Sequence, residues 1–162
     1  MADHVDFVME QWASAMPELD ASSMAVFGRM LRIMKHLAKT RADALAPFGF
    51  REGEFDVLAT LRRAGAPYRL SPTQLYTSLL VTSGAMTNRL NRLEEVGSIV
   101  RIADPEDKRS MLVALTPVGQ EKIEQALKVH TQTQNSLLAT LDASQQQQLE
   151  GLLSQLLVAS ER

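Results

Sequence analysis

Between positions 82 and 97 the chain reads TSGAMTNRLNRLEEVG. At about 100° per residue, an α-helix here puts Gly84, Thr87, Asn88, Asn91 and Arg92 on one side, opposite an apolar stripe of Met86, Leu90, Leu93 and Val96. Hydroxyls, amides and a guanidinium on short stems suit the edges of bases in a major groove, because forked groups can bond two atoms of one base. With Ser83 at the helix start, the candidate DNA-contacting set is Ser83, Gly84, Thr87, Asn88, Asn91 and Arg92. A solvated helix surface would show the same residues, so the surrounding elements must decide between the two.

A second cluster lies at DPEDKRS, residues 104–110. Lys108 and Arg109 stand on a polar, Pro-containing turn between two apolar runs, Ile99 with Arg101 on one side and residues 111–115 on the other. That layout predicts a β-hairpin whose basic tip can enter a minor groove. Asp107 is close enough in sequence to hold the guanidinium of Arg109 in one orientation; an isolated surface ion pair is the plainer alternative.

Catalytic chemistry finds no comparable support. There is no glycine-rich phosphate loop, no nucleophile motif and no carboxylate pair with a base, so the sequence does not read as an enzyme. His4, His36 and His130 lie in separate segments without ligand-like spacing, and no metal or cofactor is expected. With no cysteine, disulfides, thiol switches and cysteine metal sites are excluded.

The elements that must position these clusters can be read in order. Residues 4–16 form a short amphipathic helix with Phe7, Val8, Trp12 and Met16 near one side, ended by Pro17. Residues 22–45 form a longer one striped by Phe27, Met30, Leu31, Met34, Leu37 and Ala38. After Pro47 and Gly49, residues 51–63 turn Phe55, Leu58 and Leu61 inward. Ser71 and Pro72 cap a short helix, residues 79–81 make the turn, and Thr82, Ser83 and Gly84 open the next helix, which Gly97 stops. Thr116-Pro-Val-Gly119 caps a helix to about residue 141, and Asp142 with Gln145 caps a last one lined by Leu149, Leu152, Leu153, Leu156 and Leu157. Two leucine-lined helices outside a small winged core are most simply buried against a second copy of the chain.

Taken together, SGAMTNRLNRLEEVG, DPEDKRS and LVALTPVG resemble the multiple-antibiotic-resistance regulator (MarR) family over about residues 20–160. The resemblance implies a mainly α chain with a small β-hairpin wing (α+β), a winged helix-turn-helix with N- and C-terminal dimerisation helices. It implies one chain, 1–162, in which 50–116 is the DNA-binding lobe and 1–47 with 117–162 the helical dimerisation region. It further implies a dimeric transcriptional regulator, a repressor, on a pseudo-palindromic double-stranded DNA operator. EQW at 10–12, GEFDVLATLRRAG at 53–65 and TSGAMTNRLNRLE at 82–94 are similar to the urate-responsive, PecS-like branch. That similarity implies a pocket for a small planar aromatic anion, urate or an aromatic acid, formed by Trp12, Asp56 and Arg89.

Physically the three are suited to such a ligand: a stacking face, an acceptor for a ring N–H and a fork for an anion. From periodicity alone Trp12 could simply staple its helix, and Asp56, opposite Leu58, could be solvated. Arg89 lies beside the buried stripe, where a charge needs a partner. An Asp56–Arg89 pair that holds the recognition helix and yields to the ligand is the expected switch. The competing reading is a helical dimer acting as a protein-interaction module without ligand response.

Composition is compatible with this. At 162 residues and 45% hydrophobic the chain can bury one core. Net charge is −2, but residues 29–109 hold 14 Lys and Arg against 9 Asp and Glu, with 3 against 10 at the ends. A positive middle suits one face turned toward phosphates. No run approaches the roughly 18 apolar residues of a membrane span, and Asp3, Asp6 and Glu10 interrupt any leader-like order, so a cytoplasmic protein without a membrane partner is expected.

Overall fold

The computed structural model describes residues 2–107 and 109–161. The chain divides into two compact units, one up to Asp43 and one from Ala44 onward.

In the first unit, α1 (His4–Ala15) is followed by α2 (Ser22–Leu45), whose last two residues belong to the second unit. Asp3 caps α1 by accepting from the backbone N–H of Val5 and Asp6, and Asp6 accepts in return from the Asp3 N–H at 2.7 Å. The two helices meet where α2 carries Gly28: a Cβ there would stand 3.4 Å from Val5 Cγ1. Arg29 ties the pair by donating Nε to Asp3 at 2.8 Å and a second nitrogen to Asp6. The stripe expected on α2 is present but uncovered, with Phe27, Leu31 and Met34 all exposed.

The second unit holds the sheet and the remaining helices. A 3₁₀ turn (Ala46–Phe48) leads to α3 (Glu54–Arg63). This helix starts three residues later than periodicity predicts, because Gly53 takes a left-handed φ of 75° that the helical ladder cannot include. Then come β1 (Arg69–Leu70), α4 (Pro72–Leu79), α5 (Ser83–Glu95), β2 (Ile99–Ala103) and β3 (Met111–Leu115). The helices α6 (Pro117–Leu138) and α7 (Ala143–Ser160) complete it. The sheet is antiparallel in the order β1-β3-β2, with Arg101 opposite Val113 and Leu70 opposite Val113 on the other side. The hairpin expected from the sequence thus gains a third strand, β1, which is too short for any alternation to show.

Leu58, Leu61, Leu75, Met86, Leu93, Ile99, Val113 and Ile123 form the core, each at most 2% exposed. It is contributed by α3, α4, α5, β2, β3 and α6 together, so α5 is seated through Met86, Leu90 and Leu93. Val96, read as part of that stripe, lies at the C-cap of α5 and is exposed.

TPVG at 116–119 serves both as cap and as joint. Thr116 Oγ1 accepts from the Gly119 N–H at 3.0 Å and donates to the Gly97 carbonyl at 2.7 Å. Gly119 lies so close to the Ser98 carbonyl that a Cβ would fall 1.8 Å from its oxygen. The base of the wing is thereby locked to the first turn of α6. At the far end of α6, the side chain of Gln146 in α7 donates to the carbonyls of Leu138 and Leu141, and the Leu138 carbonyl also accepts from the Leu141 N–H at 2.9 Å. No residue of α7 is buried, and its leucines, like Leu137 and Leu138 of α6, face outward.

Candidate nucleic-acid interface

The helix pair α4–α5 is built by local caps. Ser71 accepts from the Gln74 N–H at 3.2 Å and Gln74 returns the bond at 2.8 Å. Leu80 turns the chain in a left-handed conformation, φ 53°, and Thr82 caps α5 by accepting from Ala85 at 3.3 Å. With Met86, Leu90 and Leu93 buried beneath, Ser83, Gly84, Thr87, Asn88 and Asn91 all stand exposed on α5. Five of the six helix residues in the expected DNA-contacting set therefore share an open face.

The sixth does not. Arg92 is turned toward α3, with its Nε 2.9 Å from Glu54 Oε1, while the Glu54 side chain is only 4% exposed. The contact is one of charges rather than an aligned hydrogen bond, since the buried Nε–H points past the carboxylate. The other Glu54 oxygen accepts from the Arg51 N–H at 2.8 Å. A buried carboxylate needs a counter-charge, and Arg92 is the side chain long enough to supply it. Its guanidinium is thus removed from the groove-facing group where the helical wheel had put it. Sequence reasoning overlooked Glu54, which sits on the same α3 turn as the Asp56 that it singled out.

Among the described residues, the ion pair between α3 and α5 is Glu54 with Arg92, in place of the expected Asp56–Arg89 pair. Asp56 is half-buried in the first turn of α3. Arg89, also half-buried, lays its guanidinium over Gly53: a Cβ on that glycine would stand 2.2 Å from Arg89 Cζ and 2.6 Å from Nη1. Gly53 therefore serves twice, supplying the left-handed turn and the gap that the guanidinium fills. Trp12 is half-buried on α1 in the first unit.

At the wing, Asp107 acts on the loop backbone. Its carboxylate accepts from the Arg109 N–H at 3.0 Å and from Ser110 Oγ at 2.8 Å, and these two bonds hold it below the ordinary aspartate range. Asp104 N–H to the Ser110 carbonyl at 2.9 Å closes the turn. Asp107 thus fixes the shape of the loop on which Arg109 sits exposed, rather than gripping its guanidinium as expected. The nearer hydrogen-bond donors are the backbone N–H and the neighbouring hydroxyl. Lys108 lies outside the described residues.

Arg101, which the sequence places only on a strand, joins the wing to α5. It donates from its backbone N–H to Glu94 Oε1 at 3.2 Å, from one guanidinium nitrogen to the other Glu94 oxygen, and from Nη2 to Asn91 Oδ1 at 2.7 Å. The available signal was an acid and a base seven positions apart across the Gly97 turn. Among the described residues no group of three His, Asp or Glu could hold a metal ion, and no helix is long and apolar enough to cross a membrane.

This arrangement has known counterparts. Residues 48–110 match the model of the MarR family. The chain is 32% identical over 149 residues to the HTH-type transcriptional regulator PecS of Dickeya dadantii, spanning 92% of this chain and 90% of the relative. It is 37% identical over 114 residues to the multiple antibiotic resistance protein MarR of Salmonella typhimurium, spanning 70% and 77%. Its structure is similar to that of a mutant MarR from E. coli complexed with operator DNA, with a TM-score of 0.70 and 28% identity over 86% of this chain and 99% of that one. An open polar face on a helix seated by its apolar side, a three-stranded winged sheet and 32–37% identity to two such regulators over 70–92% of the chain converge: the chain belongs to the MarR family of winged helix-turn-helix transcriptional regulators.

Proposed function

We propose that the protein is a homodimeric, ligand-responsive repressor that binds a pseudo-palindromic operator and is released by a small planar aromatic anion. The observation that carries the DNA-binding part is the joint exposure of Ser83, Gly84, Thr87, Asn88 and Asn91 on α5, with Arg109 exposed on the wing and its N–H bonded to Asp107. In a two-fold dimer the two α5 helices enter successive major grooves roughly 34 Å apart, and the wings reach the flanking minor grooves. The segments 1–47 and 117–162 supply the dimer contacts, which would cover the outward-facing side chains of α2 and α7.

For the ligand, Trp12, Asp56 and Arg89 are the proposed contacts; the aromatic-anion class is carried by the resemblance of residues 10–12, 53–65 and 82–94 to the urate-responsive branch, with which 32% identity to PecS is in keeping. Arg89 is half-buried against Gly53 on the recognition helix itself, so an anion that draws its guanidinium away acts directly on α5. Release requires only that the ligand bind the DNA-free state better, and a coupling of about 1–3 kcal/mol suffices.

The test is selection of duplexes from a random library, followed by anisotropy titrations on the selected site with and without urate and salicylate. Wild-type protein is expected to prefer a palindromic site, to lose affinity steeply with salt and to be released by one of the two anions. Arg89→Ala should bind the site and ignore the anion. Equal affinity for palindromic and random DNA would instead favour a protein-interaction module and overturn the reading.

A further inference from the structure

We infer that Arg101, on the first strand of the wing, sets the base preference of the recognition helix by locking the Asn91 amide with its NH2 group outward. The inference rests on the reading above that α5 faces a major groove, and it names what one of its residues recognises.

A guanidinium has only donors, so the amide group facing Arg101 Nη2 at 2.7 Å must be the oxygen. The NH2 of Asn91 consequently points away from Arg101. Arg101 is itself held: Glu94 takes both its backbone N–H and a guanidinium nitrogen, and its side chain is only 28% exposed. Few alternative positions remain for the guanidinium, so the amide is fixed before DNA arrives. Asn91 stands exposed beside Thr87 and Asn88, so the group that it offers outward is a donor.

An asparagine that is free to turn pairs with adenine, accepting from N6 and donating to N7. With its oxygen already accepting from the charged Arg101, Asn91 brings to that fork an occupied, weakened acceptor beside an unencumbered donor. Guanine offers two acceptors, O6 and N7, at its major-groove edge, whereas adenine offers only N7 and sets a donor, N6, beside it against the outward NH2. The clamped amide therefore favours guanine over adenine at one position of each half-site.

The experiment uses the full-length protein and the selected duplex, with that position changed to each base in turn. Wild type should prefer guanine over adenine by roughly fivefold there, the low end of what a bidentate pair gives, as befits a single NH2 donor. Asn91→Ala should abolish the preference at that position only. Arg101→Met should free the amide, so that adenine is bound as well as or better than guanine while the other positions keep their preferences, a pattern that general loss of structure does not produce.

Asn91→Asp gives an independent check that leaves the clamp intact. It replaces the outward donor by an acceptor and should move the preference to cytosine, whose N4 donates. An adenine preference in the wild type, or an unchanged preference in Arg101→Met, overturns the inference. Failure of the library to yield any selected site overturns the groove-reading assignment instead, so the two failures are distinguishable.

Discussion

At the scale of single residues, two side chains that occupy neighbouring turns of the same helix have opposite duties. Asn88 is exposed on α5, whereas Arg92 faces a carboxylate only 4% exposed. Replacing Arg92 by Leu strands that carboxylate, and the cost of leaving a buried charged group unsatisfied is about 1–3 kcal/mol or more. Arg92→Leu should therefore lower the midpoint of urea unfolding clearly. Asn88→Ala should leave it within about 0.5 kcal/mol of wild type, as is usual for surface changes, and weaken operator binding. Equal stability of the two variants in denaturant titrations would refute this division of labour.

At the scale of elements, the wing is a loop shaped by one carboxylate. Hydrogen bonds from the Arg109 N–H and the Ser110 hydroxyl lower the Asp107 pKa, so the charged form is favoured in the folded loop. A group whose folded pKa is depressed contributes its stabilisation above its unfolded value, near 4, and loses it as pH falls through the folded value. The Arg109 and Ser110 amide resonances should accordingly stay constant at neutral pH and shift together only below about pH 4. Asp107→Asn should remove that titration and loosen the loop. A wing that melts between pH 5 and 7 would place its control elsewhere.

At the scale of the molecule, the outstanding feature is uncovered hydrocarbon. Leu152 and Leu157 are 60% and 59% exposed on α7, a helix with no buried residue, and Leu31 on α2 is 71% exposed. Patches of this kind mark interaction surfaces. If they form the proposed dimer contacts, the double variant Leu152→Lys, Leu157→Lys should sediment as a folded monomer at concentrations where wild type is a dimer. It should also bind a half-site no worse than before while losing preference for the full palindrome. A wild-type protein that sediments as a monomer would remove the two-fold geometry on which operator recognition is built.

Much of this was readable in the residues themselves. Caps at Ser71, Thr82, Thr116 and Asp142, the apolar stripe of α5 and the exposed leucines of α7 are set by interactions within four positions along the chain, so periodicity and turn chemistry determine them. The open face of Thr87, Asn88 and Asn91 followed from the same arithmetic. What the tertiary structure alone decided was where the long charged side chains end: Arg92 on Glu54, Arg101 on Asn91 and Glu94, Arg89 over Gly53. A wheel angle fixes where a Cβ leaves the helix, but a guanidinium lies several bonds further out. It settles on whichever buried acceptor or glycine gap a different element brings near, and that depends on how the elements pack.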